Sequence, residues 1–285
     1  MKLSATLFFA AVTVLAFAAS AGAVDGTIEI NQAKVMAAGG FPYKISTMGS
    51  YRLTGNLTVS STTADAIDVN SNHVTIDLNG FSINGPGSSS GYGINGPSAG
   101  AFTVENGTLT GFADQSGVVT GNNSVVRNMR VNANGYGIQT GTGSVISGNT
   151  VNNAALGGGI ICYGSGCVIS GNTADGNSVT GIYCSGTGCQ ISGNTADSNG
   201  NSGVQCVGCV VSGNTVNANG LGISCPGTGC LISGNTIDNN GSNGIFANDS
   251  TTGYGGNVLN ANSMGISGGT SLGAKNTNLC SGTAC

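Results

Sequence analysis

The ten cysteines of this 285-residue chain are its most reactive side chains, and they fall into five close pairs: Cys162/Cys167, Cys184/Cys189, Cys206/Cys209, Cys225/Cys230 and Cys280/Cys285. Four pairs bracket a four-residue loop, "YGSG", "SGTG", "PGTG" and "SGTA". An even count in an exported chain favours disulfides, although spacing alone leaves their connectivity open. We expect a bridge within each loop, Cys206–Cys209 included. Cys280/Cys285 has the same form with no cysteine-bearing repeat beside it. Bridges between stacked repeats would join nearly parallel side chains about 4.8 Å apart, which suits disulfide geometry poorly. "CVGC" at Cys206–Cys209 resembles a redox dithiol, but that chemistry normally needs a helix start to lower the thiol pKa. No helix is expected there, so the motif reads as a shortened loop. Stacked thiolates would also suit zinc or copper(I).

Ionisable groups are scarce: charged residues make up only 6% of the chain, with net charge −4. The pI near 4.6 carries no nucleic-acid footprint. Asp77, Glu105 and Arg127 share one register, so Glu105–Arg127 is expected to pair. With Arg130 on the neighbouring strand they form a small candidate catalytic cluster of acids and bases, with no further basic group beside it. Asp175 and Asp197 hold equivalent places in adjacent repeats, where like charge invites a bridging cation. Calcium is the candidate, although it wants about six to eight oxygens and the repeat supplies few. No resident cofactor is otherwise expected. His73, the only histidine, precedes an apolar run and reads as structural.

The elements that must position these residues follow from a repeat. "SGNT" recurs at Ser147, Ser170, Ser192, Ser212 and Ser233, in steps of 23, 22, 20 and 21 residues. The frame extends back through "SVVRNMRVNANGYGI", "FTVENGTLTGF" and "HVTIDLNGFSI", and forward through "GGNVLNANSMGI". Such a period marks a solenoid. Apolar positions are too sparse for helical stripes, and each unit holds several turn signals. A coil of three short parallel strands fits. Three inward columns result: Val126, Ile146, Ile169, Ile191, Val211, Ile232; then Val131, Val151, Ala174, Ala196, Val216, Ile237; then Ile138, Ile160, Ile182, Val204, Ile223, Ile245. Stacked β-branched residues make a continuous narrow core that no single coil could bury alone. The asparagines of "SGNT" should form a ladder and turn the chain.

The I-x-G-N-T and N-x-x-G-I patterns, from about Val74 to Ser267, resemble the right-handed parallel β-helix repeat proteins of the pectate-lyase-like fold. The resemblance implies an all-β right-handed parallel β-helix of about nine coils, each of about 22 residues. The family spans polysaccharide lyases, glycosidases, surface adhesins and a periplasmic protein of copper-enzyme maturation, so the fold does not choose a function.

Around the solenoid, residues 1–23 read as a signal peptide: Lys2, an apolar run and "AGA" before the cleavage point. Residues 24–60 read as an N-terminal cap with a short helix, N-capped by Asn31. Residues 61–270 are the β-helix and 271–285 a closing segment. No span long enough to cross a bilayer follows the leader. The expected protein is a secreted or periplasmic monomer.

Enzymes of this resemblance work in a groove along one strand face. The outward positions of the "GI" strand are Gln139, Ile161, Tyr183, Gln205, Ser224, Phe246 and Ser267, none of them ionisable at neutral pH. Gln139, Tyr183, Gln205 and Phe246 could instead bind a polysaccharide or cell-surface ligand by stacking and hydrogen bonding. The expectation is a non-catalytic scaffold that binds an extracellular surface. The alternative is a lyase or hydrolase acting on acidic glycans.

Overall fold

The computed structural model describes residues 26–285 apart from 89, 273–276, 282 and 285. Residues 1–23, expected to be a signal peptide, and Cys285 lie outside the described residues. The chain winds into an all-β parallel solenoid. A typical coil holds three short strands, such as Val145–Ser147, Thr150–Asn152 and Ile160–Cys162. Each pairs in parallel with its equivalent one coil on: Val145↔Val168, Thr150↔Thr173 and Ile160↔Ile182. The third strands form an 11-stranded sheet, and the other strands form the 22-stranded sheet. There are thus about eleven turns rather than nine. The additional turns lie upstream of the recognisable repeat. There Tyr43–Ile45 pairs with Ile67–Val69, and Ile28–Ile30 pairs with Tyr51–Leu53, both in parallel. Coil geometry therefore reaches back into the segment expected to cap the end. That segment carries the single helix among the described residues, Gln32–Ala37, whose Lys34 amide donates to the Asn31 side chain at 3.0 Å.

The three inward columns are buried as expected, from Val126 through Ile146 and Ile191 to Ile245. Parallel pairing stacks like on like, so every coil supplies the contacts its neighbour needs. Towards the N-terminus, Phe102 and Phe112 are fully buried where the coils are less regular.

The asparagine ladder forms, but the asparagines do not make the bend. Asn149, Asn172, Asn194, Asn214, Asn235 and Asn257 are buried, and each side-chain amide donates to the Oδ1 of the next at 2.9–3.0 Å. The left-handed backbone falls one residue earlier, on glycines such as Gly193 with φ +64°. The reason is steric: glycine takes that conformation freely, which leaves the asparagine to turn inward and satisfy buried backbone groups. A second ladder stands beside it: Asn177, Asn199, Asn219, Asn240 and Asn262, linked at 2.8–3.1 Å. Asn219 and Asn262 are asparagines of the N-x-x-G-I pattern, and Asn177, Asn199 and Asn240 stand one residue further from the glycine; sequence reading left this column without a role.

Cysteines line one corner of the solenoid. Cys162–Cys167, Cys184–Cys189 and Cys225–Cys230 are disulfides, each closing its own loop across a Cα separation of 6.5–6.8 Å. Cys280 is disulfide-bonded too. The expected Cys206–Cys209 bridge is absent: both residues are free thiols, and both are buried. Only Val207 and Gly208 separate them. The short loop turns the Cys209 Sγ onto the Val207 carbonyl at 3.3 Å, while the Cys206 Sγ faces Cys230 Sγ at 3.9 Å.

Candidate functional site

Outward side chains of the 11-stranded sheet form one column running the length of the solenoid. Strand register gives Lys44, Asp68, Asn95, Val119, Gln139, Ile161, Tyr183, Gln205, Ser224, Phe246 and Ser267 in order. The part from Gln139 onward is the column expected from sequence. Its upstream extension adds Lys44 and Asp68, so the face does carry ionisable groups, at its N-terminal end.

Two cavities open along this column. One, of about 370 Å³, is lined by Tyr92, Asn95, Val119, Gln139 and Tyr163, with Pro97 at its edge. The next, of about 300 Å³, is lined by Tyr136, Leu156, Ile161, Val179, Tyr183 and Gln205. Tyr163 lines the first and interacts with Tyr136 and Tyr183, which line the second. Its hydroxyl accepts from the Gln139 side-chain amide at 3.5 Å. Burial, then the phenols of Tyr136 and Tyr183, push its hydroxyl pKa up. Together the cavities make an open groove with tyrosine rings for walls and amide side chains between them. From Asn95 to Gln205 it crosses five rungs, roughly 24 Å at strand spacing.

Local sequence explains these placements. Tyr183 lies on a strand, pointing outward between buried Ile182 and Cys184. Tyr163 opens the "YGSG" loop, and 57% of its surface is exposed. Tyr136 lies flat because Gly157 leaves room: a Cβ there would come within 2.0 Å of the Tyr136 ring. The groove thus holds Gln139, Tyr183 and Gln205 from the sequence expectation and adds Tyr92, Tyr136 and Tyr163. Phe246 stands two rungs beyond Gln205 and is not among the residues lining either cavity.

At the upstream end, Asp65 accepts from the Tyr92 amide at 2.7 Å and from the Asn95 side chain at 2.8 Å. Asp68 lies beside it. Its pKa is raised to about 6 by burial, then by a hydrogen bond to and the charge of Asp65, against the opposing pull of Lys44. Asp68 Oδ1 is shielded from solvent with no protein donor facing it. Asp65 thereby orders Tyr92 and Asn95 at the head of the groove.

The charged cluster expected from sequence lies on the other sheet. Asp77, Glu105 and Arg127 do share a register. Arg127 pairs with Glu105, and Asp77 pairs with Arg52 at 3.3 Å. Asp77 also accepts from the Asn79 amide and the Asn106 side chain. Both acids are thus held by arginines. Arg130 lines a separate cavity of about 390 Å³ with Thr108, Asn128 and Thr150. Asp175 and Asp197 are register neighbours, and Asp197 accepts from the Asn217 side chain at 2.7 Å. Among the described residues, the groups of three or more metal-ligating side chains consist only of cysteines. His73 is exposed at a bend with φ +56°.

A family model described as "Right handed beta helix region" matches residues 45–196, just over half of the chain. The chain belongs to the right-handed β-helix family. No curated protein matches it. Among solved structures, the Dettilon tailspike protein superposes on this β-helix with a TM-score of 0.53 at 16% identity, covering 88% of this chain and 62% of that one. The chain thus spans less than two thirds of the tailspike's length. A GH87 α-1,3-glucanase catalytic unit from Streptomyces thermodiastaticus gives a TM-score of 0.48 at 15% identity, over 94% and 70% of the two chains. The Azotobacter vinelandii mannuronan C-5 epimerase AlgE4 A-module gives 0.46 at 12%, over 87% and 91%. These likenesses concern the fold. No helix among the described residues is long and apolar enough to cross a membrane.

Proposed function

We propose that this β-helix is an exported, non-catalytic scaffold that binds a polysaccharide along the tyrosine-lined groove. The observation that carries the reading is the run of Tyr92, Tyr163, Tyr136 and Tyr183 beside Asn95, Gln139 and Gln205 across two adjoining cavities. A pyranose presents an apolar ring face and a polar rim. Tyrosine offers the matching flat surface with a hydroxyl at its edge, and amides serve as both donor and acceptor. The groove is open, as suits a polymer that enters sideways. Its middle carries no charged group, which favours a neutral or weakly charged glycan over a polyuronate. Disulfides fit an oxidising compartment outside the cytoplasm. Affinity electrophoresis against neutral and uronate polysaccharides tests the reading. Retardation by at least one glycan should weaken about tenfold in Tyr163→Ala and Tyr183→Ala, a loss of the size expected for an interface anchor. Retardation unchanged in both variants, or none by any glycan, contradicts it.

A further inference from the structure

The corner cysteines are more than separate clasps. Parallel register stacks Cys162, Cys184 and Cys206 in one column. It places Cys167, Cys189, Cys209 and Cys230 in a second, one residue before the paired strands. All eight side chains, Cys225 included, are buried. The sulfurs of Cys162, Cys167 and Cys189 lie within 4.8 Å of one another, and so do those of Cys184, Cys189 and Cys209. On the other side Cys206 Sγ is 3.9 Å from Cys230 Sγ. Eight sulfurs thus form one unbroken stack holding three disulfides and a single dithiol. The dithiol lies within 4.8 Å of both sulfurs of the Cys184–Cys189 disulfide on one side and 3.9 Å from Cys230 Sγ on the other.

We infer that this stack is a thiol–disulfide exchange chain, in which the reduced pair moves from coil to coil. The step towards the N-terminus starts with the Cys209 thiolate. It attacks Cys189 Sγ, the Cys189–Cys184 bond breaks, and Cys184 leaves as a thiolate and takes up the proton Cys209 lost. Cys206 then attacks Cys209, the Cys209–Cys189 bond breaks, and Cys189 leaves as a thiol. The products are a Cys206–Cys209 disulfide and a Cys184/Cys189 dithiol. Two electrons and two protons have moved one coil with no external oxidant. The mirror step begins with Cys206 on Cys230 Sγ and expels Cys225. Exchange of this kind needs a thiolate in contact with a disulfide. The hydrogen bond from Cys206 lowers the pKa of Cys209, while the same bond and burial raise that of Cys206. The step that Cys209 begins is therefore faster than the mirror step that Cys206 begins. The consequence is that a reducing equivalent reaching any one coil is shared by all four, and no single bridge is permanent.

Cysteine mapping tests this. The wild-type protein, purified without reductant, is held at pH 8 under argon and quenched in acid. It is then unfolded and labelled with N-ethylmaleimide at low pH, and its peptides are mapped. The expected result is two labels per molecule within the stack, spread beyond Cys206 and Cys209. At least about one molecule in ten should carry them on Cys184/Cys189 or Cys225/Cys230, as for positions within about 1.4 kcal/mol of each other. In Cys206→Ser, a single label should divide between Cys209 and Cys184. Labels confined to Cys206 and Cys209 after prolonged incubation overturn the inference, as does a stack with no label or with all eight cysteines labelled. The wild-type arm stands even if the variant does not fold.

Discussion

The two long faces of the solenoid follow opposite rules. On the 22-stranded sheet one outward column repeats without change over five coils: Thr150, Thr173, Thr195, Thr215 and Thr236 stack in one register. On the 11-stranded sheet the outward column changes type at nearly every rung, from Asp68 through Asn95 and Gln139 to Tyr183. Beneath both faces the buried columns are equally regular. Repetition therefore serves the stacking that holds the coils together. Where repetition stops on an accessible face, the side chains are free to be chosen for something other than stacking. The tyrosine groove lies where it stops.

The largest expected effect breaks what the two faces share. Asn194 Oδ1 accepts from the Asn172 backbone and side chain, and its Nδ2 donates to the Ile169 carbonyl and Asn214. Asn194→Ala leaves several buried groups without partners, at about 1–3 kcal/mol each. A loss of about 3 kcal/mol or more should appear in chemical denaturation; a loss below about 1 kcal/mol would show that the ladder is dispensable. Next, the faces should separate by function. The Tyr163→Ala, Tyr183→Ala double variant should abolish glycan retardation while leaving the denaturation midpoint nearly unchanged. Thr195→Ala and Thr215→Ala, on the regular face, should leave binding intact. Equal effects from both faces would erase the contrast.

A smaller effect concerns Gly157. Gly157→Ala should push the Tyr136 ring out of its place and weaken glycan binding by less than the loss of Tyr183, measured by the same retardation. The smallest is a pH dependence at the head of the groove. The Asp68 pKa is raised to about 6 from 3.8, so between these values the folded state binds the proton more tightly than the unfolded chain. Stability from this group is then greatest below about pH 4, falls as pH rises to about 6, and stays level above. Asp68→Asn should flatten that segment of the stability–pH curve and leave the protein slightly more stable at pH 7. A curve unchanged by the substitution would contradict the raised Asp68 pKa.

Residues whose type recurs at the repeat spacing were legible without a structure. The three core columns and the first ladder could be written down because Ile191 and Asn194 have counterparts in every neighbouring unit. The bend was misplaced by one residue because Gly193 and Asn194 both suit left-handed turns, and only burial tells them apart. Cys206–Cys209 was misjudged because the four-residue loops around it suggested a rule that a two-residue loop does not obey. The groove was only half visible. Gln139, Tyr183 and Gln205 lie on the column, but Tyr136 reaches it from the first residue of its strand and Tyr163 from a loop, at positions whose residue type does not recur along the repeat. Asp65 and Asp68 lie where longer loops blur the repeat: Asp68 and Asn95 are one rung apart yet 27 residues apart in sequence.

The chain contains no tryptophan and seven tyrosines, four of which line the groove. Tyrosine emission therefore reports the site directly. Titrating the glycan that retards the protein best into wild type should change that emission saturably. The same titration into the Tyr163→Ala, Tyr183→Ala variant should give little change and no saturation. A saturable change of equal size and midpoint in the variant would place the bound glycan elsewhere on the solenoid and contradict the central claim.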